Sequence, residues 1–319
     1  MSGATEFELI ERHLARLGAR RADVVLGPGD DAAIVGPTDT ALLMALDSLV
    51  EGVHFPADLP ARWVGYRALA VNLSDIAAMG GEPCWALLGL TLPEADEAWL
   101  AAFADGLGRL ASAAGVAIVG GDVTRGPLTV SLQLSARAPQ RPLRRDGARP
   151  GDQVWVSGRP GEAAAGLAVW QQPRARRASP WQGLRQAFIA PQPRLALGRH
   201  LVGIASAAID LSDGLAADAG HIAARSAVAL HLDPLRCRPS RRLQRWAGAE
   251  AAGRLQLGGG DDYELCFTAP AGAAAAVAAA ADRSRTPVRC IGVVREGDGV
   301  WWGGERLARA GAGYRHFAG

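Results

Sequence analysis

Nine aspartates of this chain lie in short, weakly polar, glycine-rich segments, and its 319 residues include no lysine. The segments are Gly29-Asp30-Asp31, Leu46-Asp47-Ser48, Leu73-Ser74-Asp75, Gly120-Gly121-Asp122, Ile209-Asp210-Leu211-Ser212-Asp213-Gly214 and Gly258-Gly259-Gly260-Asp261-Asp262. Carboxylates that converge repel one another and rise in pKa unless cations neutralise them. The pattern points to metal-bound phosphate chemistry, with several of these carboxylates converging on divalent cations. Hard oxygen donors suit Mg²⁺, which bridges a few carboxylates to substrate phosphates while keeping several waters.

The length favours two domains, since single cores stop growing below ~300 residues. Hydrophobic residues make up 49% and charged residues 21%, with net charge +2. That balance fits an ordinary globular protein and points neither to nucleic acid nor to a membrane surface. Glu6, Glu8 and Glu11 stand where a secretory signal carries basic residues, and the alanine-rich run 271–281 is too short to span a bilayer. Cys84, Cys237, Cys266 and Cys290 lie far apart without zinc-like spacing, so a reducing cytoplasm is the expected location.

All 34 basic residues are arginine. A Walker A loop needs a lysine at the β/γ-phosphates and a protein kinase needs one on its third strand, so neither can be built here. Schiff-base chemistry is excluded for the same reason.

Thr5 and Glu8 form a capping box, followed by Phe7, Ile10, Leu14 and Leu17 at helical spacing. The apolar run 41–46 has strand length and puts Asp47 at a strand end. A helix is expected over 61–79, stopped by Gly80-Gly81, with Asn72 and Asp75 on one face. Further strands are expected over 85–92, 116–119 and 128–138, with a helix over 94–114 between the first two. The stretch 139–150, rich in proline, arginine and glycine, separates this half from a second alternating one. There, strands are expected over 153–157, 228–232, 263–268 and 288–294, and helices over 195–204 and 215–224. Such alternation argues for layered α/β or α+β domains, here 1–148 and 149–319. The segment 171–185, with Arg174, Arg176, Arg177 and Arg185, reads as a solvated loop or helix edge, or else as a phosphate contact.

A single Gly-Asp is common in turns for conformational reasons. Repetition at strand ends and helix starts, where ligands of open α/β structures bind, points instead to a site. Asp210 to Gly214 reads as such a loop, although Ser212 or Asp213 would also cap the helix that follows. His54 reads as an anion contact or a structural histidine. Arg125 and Arg145 offer guanidinium forks for phosphate or lie on the surface. Trp301, Trp302 and Tyr314 offer aromatic faces for a ligand or for the core.

In order along the chain, Gly-x-Gly-Asp-Asp-Ala, Asp-Ser-Leu-Val-x-Gly-Val-His-Phe, Ala-Val-Asn-Leu-Ser-Asp-Ile-Ala-Ala-Met-Gly, Gly-Gly-Asp-Val-Thr-Arg-Gly, Ile-Asp-Leu-Ser-Asp-Gly-Leu and Gly-Gly-x-Asp-Tyr-Glu-Leu resemble the motifs of thiamine-monophosphate kinases. The resemblance runs from Phe7 to Phe317. It implies a two-domain α/β (α+β) fold like that of aminoimidazole ribonucleotide synthetase, with the N-terminal domain pairing with its symmetry mate in a dimeric β-barrel and a C-terminal α/β domain. It implies an enzyme, a homodimer, that transfers the γ-phosphoryl group of ATP to thiamine phosphate with several Mg²⁺ ions. Carried over by position, the resemblance makes Asp31, Asp47, Asp75, Asp122 and Asp210 metal ligands, with Asp30 and Asp213 close by. Gly121, Asp122, Arg145 and Ser212 fall at nucleotide positions, and His54, Asp261 and Tyr314 at thiamine phosphate positions. Two departures stand out: Ala45 and Leu46 replace hydroxyl residues before Asp47, and Asp261 stands where the family often has glutamate.

Such a reaction needs no strong general base, because a phosphate with a second pKa of ~6 is largely deprotonated near neutral pH. Relatives that act through a reactive cysteine and lysine near the start, or a C-terminal cysteine, are disfavoured, since the first cysteine is Cys84 and the chain ends Phe317-Ala318-Gly319. A reading from another class is a non-catalytic sensor that binds Mg²⁺ and ATP to set a conformation.

Overall fold

A computed structural model describes residues 24–26, 33–35, 41–94 and 96–308. The expected helix at 7–17 and the acids Asp30 and Asp31 lie outside them, as does Tyr314. The described residues form a mixed α/β structure built on two sheets.

The first sheet has the order β1-β2-β3-β6-β4-β5, with β1 Val24–Leu26, β2 Ala33–Val35, β3 Leu42–Val50, β4 Glu82–Leu92, β5 Ala117–Arg125 and β6 Thr129–Arg137. Neighbours are antiparallel except β4 and β5, which run parallel. Leu43, Ala45 and Leu49 of β3 and Leu132 and Leu134 of β6 turn inward. Helices α1 (Ala61–Ala78) and α2 (Glu97–Ala114) cover that face. Leu69, Leu73 and Ile76 of α1 are wholly buried, each contributing about 1.5–3 kcal/mol of transfer free energy. The two helices cross in close contact: a Cβ on Gly106 would lie 1.8 Å from the Arg62 carbonyl oxygen, so a larger residue would force them apart. Asp96 caps α2 by accepting from the backbone N–H groups of Ala98 and Trp99.

The outer face of this sheet is also apolar. Met44, Leu46, Trp85 and Leu87 are exposed there, and among the described residues the sheet is open rather than a closed barrel.

The second sheet has the order β13-β12-β9-β11-β7-β10-β8, with β7 Asp152–Ser157, β8 Ala207–Asp210, β9 Ala229–Leu232, β10 Leu265–Pro270, β11 Val288–Arg295, β12 Gly299–Trp302 and β13 Glu305–Arg306. Its helices are α3 (Glu162–Trp170), α4 (Pro173–Arg177), α5 (Gln182–Ile189), α6 (Leu195–Leu201), α7 (Leu215–Ser226), α8 (Arg241–Ala247), α9 (Ala249–Gly258) and α10 (Ala274–Ser284). The arginine-bearing segment 171–185 is thus α4, a 3-10 turn at Ser179–Trp181 and the start of α5. Ala77 and Ala78 of α1 pack into one core with Leu197, Leu201 and Phe267, so the first unit's helix is seated in the second. Among the described residues no helix is long and apolar enough to cross a membrane.

Three expectations are corrected. Asp47 stands inside β3, paired with Leu132 of β6, because the strand continues to Val50. Gly120-Gly121-Asp122 lies within β5, which runs beside β4 as far as Arg125. Tyr263 precedes β10 instead of belonging to it, since its backbone is left-handed.

Candidate active site

Two loops of the second unit lie side by side and meet helix α1 of the first. One, Asp210 to Gly214, leaves the end of β8 and starts α7. The other, 259–264, joins α9 to β10. They are tied as a short ladder: Asp261 N–H donates to the Ser212 carbonyl, Tyr263 N–H to the Leu211 carbonyl and Leu211 N–H to the Glu264 carbonyl, each at 2.8 Å.

Helix α1 holds both loops. Ser74 Oγ donates to Asp210 Oδ2 at 2.7 Å, with both residues buried. About two turns earlier, Arg67 donates through Nη2 to both Asp261 oxygens at 2.6 and 2.7 Å. Arg67 also donates through Nη1 to the Phe188 carbonyl at the end of α5. Burial pulls the Arg67 pKa down, but the Asp261 carboxylate and Tyr263 carry it above its ordinary value.

Asp261 and Tyr263 are left-handed, at φ 73° and 51°. Non-glycine residues there cost of order 1–3 kcal/mol each and persist only when their surroundings over-determine them. Between them the buried Asp262 accepts from Gly161 N–H at 2.6 Å and Ala163 N–H at 3.2 Å, capping α3 from outside its own segment. After them Glu264 accepts from Arg194 Nε at 2.6 Å and Nη2 at 2.5 Å, and from Ser157 Oγ at 2.5 Å. Burial raises the Tyr263 phenol well above its ordinary pKa, and the negative charges of Asp261 and Asp47 add to the rise. Asp47 of the first sheet is thereby an electrostatic neighbour of the second unit's loop.

The other loop is fixed from within. Asp218, buried in the first turn of α7, accepts from Asp213 N–H at 3.1 Å and Gly214 N–H at 3.0 Å through Oδ2. Burial lifts its carboxyl well above the usual range, and the charges of Asp213 and Asp210 lift it further. Asp213 and Asp210 thus lie within electrostatic range of Asp218, where β8 meets α7.

The remaining expected residues are placed as follows. Asp75 is half-buried on α1, Asp122 is exposed on β5 and Ser212 is exposed in its loop. A Cβ on Gly121 would lie 1.8 Å from the Leu88 carbonyl oxygen, so the strand pairing there demands glycine. His54 closes the turn after β3, its Nδ1 accepting from Val50 N–H at 2.9 Å. Arg145 is half-buried, and its carbonyl accepts from Ser226 Oγ at 2.7 Å. Among the described residues no three His, Cys, Asp or Glu side chains come together as a metal cluster. Mg²⁺ is usually held by one or two carboxylates, with water and substrate phosphate completing its shell. The hard oxygens of Asp210 and Asp213 fit that demand.

Arg67, Asp218 and the Arg194–Glu264 pair were not singled out from sequence. Asp218 carried a signal, a carboxylate four residues after Gly214 in the first turn of a helix. Arg67 carried a fainter one, a charge inside the otherwise uncharged stretch Trp63 to Val71.

Residues 29–137 match the family described as AIR synthase related protein, N-terminal domain. The thiamine-monophosphate kinase of Escherichia coli (strain K12) is 42% identical over 319 residues, covering 98% of this chain and 98% of that one. The crystal structure of thiamine-monophosphate kinase from Stenotrophomonas maltophilia K279a superimposes with a TM-score of 0.82 at 45% identity, covering 96% of this chain and 99% of that one. AaThiL complexed with AMPPCP and TMP gives a TM-score of 0.85 at 34% identity, covering 98% and 97%.

Proposed function

Because this chain belongs to the thiamine-monophosphate kinase family, we propose that it transfers the γ-phosphoryl group of ATP to thiamine phosphate, yielding thiamine diphosphate and ADP. The identity of 42% over 98% of both chains carries this reading. The relative AaThiL, bound to AMPPCP, an ATP analogue, and TMP, the acceptor, supports it. Nothing observed favours a sensor without turnover.

Both reactants are anions, and the acceptor's phosphate oxygen is already largely deprotonated near neutral pH, its second pKa being ~6. The chemical task is to align two phosphates and offset charge moving to the leaving oxygen, which is a matter of positioning and electrostatics. Asp30, Asp31, Asp47, Asp75, Asp122, Asp210 and Asp213 would hold several Mg²⁺ ions. When bound, those ions supply charge neutralisation and bridging between phosphates. Gly121, Asp122, Arg145 and Ser212 are assigned to ATP, and His54, Asp261 and Tyr314 to thiamine phosphate. The backbone tie between the Asp210 and Asp261 loops supports this division, since the segments assigned here to metal and to acceptor are then neighbours.

The functional unit is taken to be a homodimer in the cytoplasm. The apolar outer face of the first sheet, with Leu46 64% and Leu87 46% exposed, supports burial against a second copy and a barrel formed across the pair. The proposed domains, 1–148 and 149–319, divide between β6 and β7.

Incubation with ATP, Mg²⁺ and thiamine phosphate, with free thiamine as a parallel acceptor, tests the reading by ³¹P NMR. Thiamine diphosphate formed from thiamine phosphate alone is expected. ATP binding without product would overturn it.

A further inference from the structure

Arg67 belongs to the first unit but directs its guanidinium to the second. It is 1% exposed, its Nη2 reaches both oxygens of Asp261 at 2.6 and 2.7 Å, and its Cζ lies 4.7 Å from the Phe188 ring centroid. A buried charge in such a place is held against a heavy desolvation cost, so it and its counter-ion fix one another in direction. Asp261 nevertheless keeps 27% of its side chain exposed. It is therefore clamped on its inner side and open on its outer side, in a turn whose left-handed residues flank the buried cap Asp262.

We propose that Arg67 is a positioning residue for the phosphoryl acceptor, holding Asp261 so that its exposed edge accepts a hydrogen bond from the N–H-bearing heteroaromatic end of thiamine phosphate. The inference rests on the function proposed above for this site. Because Arg67 offsets the charge of Asp261, the acceptor is read by hydrogen-bond direction more than by net charge. Lysine at this position would supply a point charge but not the planar fork that reaches Asp261 and the Phe188 carbonyl together.

Calorimetric titration of thiamine phosphate into the full chain with AMPPCP and Mg²⁺ tests this, using wild type, Arg67→Met, Arg67→Lys, Asp261→Asn and the Arg67→Met, Asp261→Asn pair. AMPPCP binding is measured separately and folding is checked by circular dichroism. Arg67→Met is expected to weaken thiamine phosphate about tenfold while AMPPCP stays within about twofold, with Arg67→Lys recovering part of the loss. The double variant is expected to be no more than about twofold weaker than the worse single one, as two residues acting as a unit require. Thiamine phosphate affinity within about twofold of wild type in Arg67→Met overturns the proposal. So do equal losses for both ligands with no recovery in Arg67→Lys, which mark a structural role. If Arg67→Met does not fold, Arg67→Gln on the Asp261→Asn background, which removes both charges together, is compared with Asp261→Asn alone, and a further loss of thiamine phosphate affinity beyond about twofold overturns the proposal. Thiamine diphosphate formation by wild type is followed in parallel. Its absence overturns the proposed function, while the binding result still decides the role of Arg67.

Discussion

Ser74 and Asp210, 136 residues apart, share a buried hydrogen bond of 2.7 Å that joins the first unit's helix to the end of the second unit's edge strand β8. Ser74→Ala removes the donor and leaves that contact to a buried carboxylate unmade. A loss of about 1.5–3 kcal/mol is expected, the range for hydrogen bonds to charged groups. Urea unfolding of wild type and variant checks it, and equal midpoints would contradict the contact.

Asp218 holds two backbone N–H groups of the Asp210 to Gly214 loop. Asp218→Ala strands both and is expected to cost about 2–3 kcal/mol and to weaken Mg²⁺-dependent nucleotide binding. Asp218→Asn keeps an acceptor and should retain most of both. Chemical unfolding together with calorimetric titration of AMPPCP separates the two variants; identical behaviour would show that the oxygen is not what matters.

Gly121 sits at φ 148°, with the Leu88 carbonyl oxygen 1.8 Å from any added Cβ. Backbone on both sides of the contact cannot give way cheaply. Gly121→Ala is expected to lower stability by more than about 2 kcal/mol and to cut ATP binding through distortion of β5 beside Asp122. A melting temperature equal to wild type would refute the contact.

Burial lifts the Asp262 carboxyl well above its usual range, against the pull of Gly161 and Ala163 N–H. A carboxyl raised on folding contributes stability that is complete below its unfolded value of ~3.9 and is lost as pH climbs through the folded value. Asp262→Asn does not titrate. Relative to wild type, the variant is expected to gain stability as pH rises from ~4 to ~8. Thermal melts of both proteins in Mg²⁺-free buffer across that window check the sign, and a difference flat with pH would contradict it.

For the dimer, wild type is expected to sediment at twice the 33.2 kDa chain mass. Leu46→Glu, a charge on the exposed apolar face, is expected to shift it to the single-chain mass. Single-chain behaviour of wild type at micromolar concentration would remove the homodimer.

Helix α1 was legible, because an apolar run closed by Gly80-Gly81 has few other readings, and the observed helix stops at Ala78. The extent of β3 was not. Period-two alternation announces a strand when one face is polar, but here Met44 and Leu46 face outward and Leu43 and Ala45 inward, so the pattern is apolar throughout. Gly120-Gly121 read as a turn for the opposite reason, since glycine there serves a close backbone approach inside a strand. The aspartates of the two loops could be listed from sequence, but their partners could not. Arg67 and Ser74 find Asp261 and Asp210 only once both sheets exist, and no local spacing encodes so distant a pairing.

The Arg67–Asp261 pair also has a history within each molecule's synthesis. Its members are 194 residues apart, and at 5–20 residues per second the arginine leaves the ribosome about 10–40 s before its carboxylate. Through that interval the first sheet and its helices hold a guanidinium that they cannot bury. Until Phe188 and then the loop before β10 arrive, Arg67 of the nascent N-terminal half lacks the carbonyl and carboxylate it bonds in the finished fold. Completion of the acceptor side of the site is then among the last events of folding.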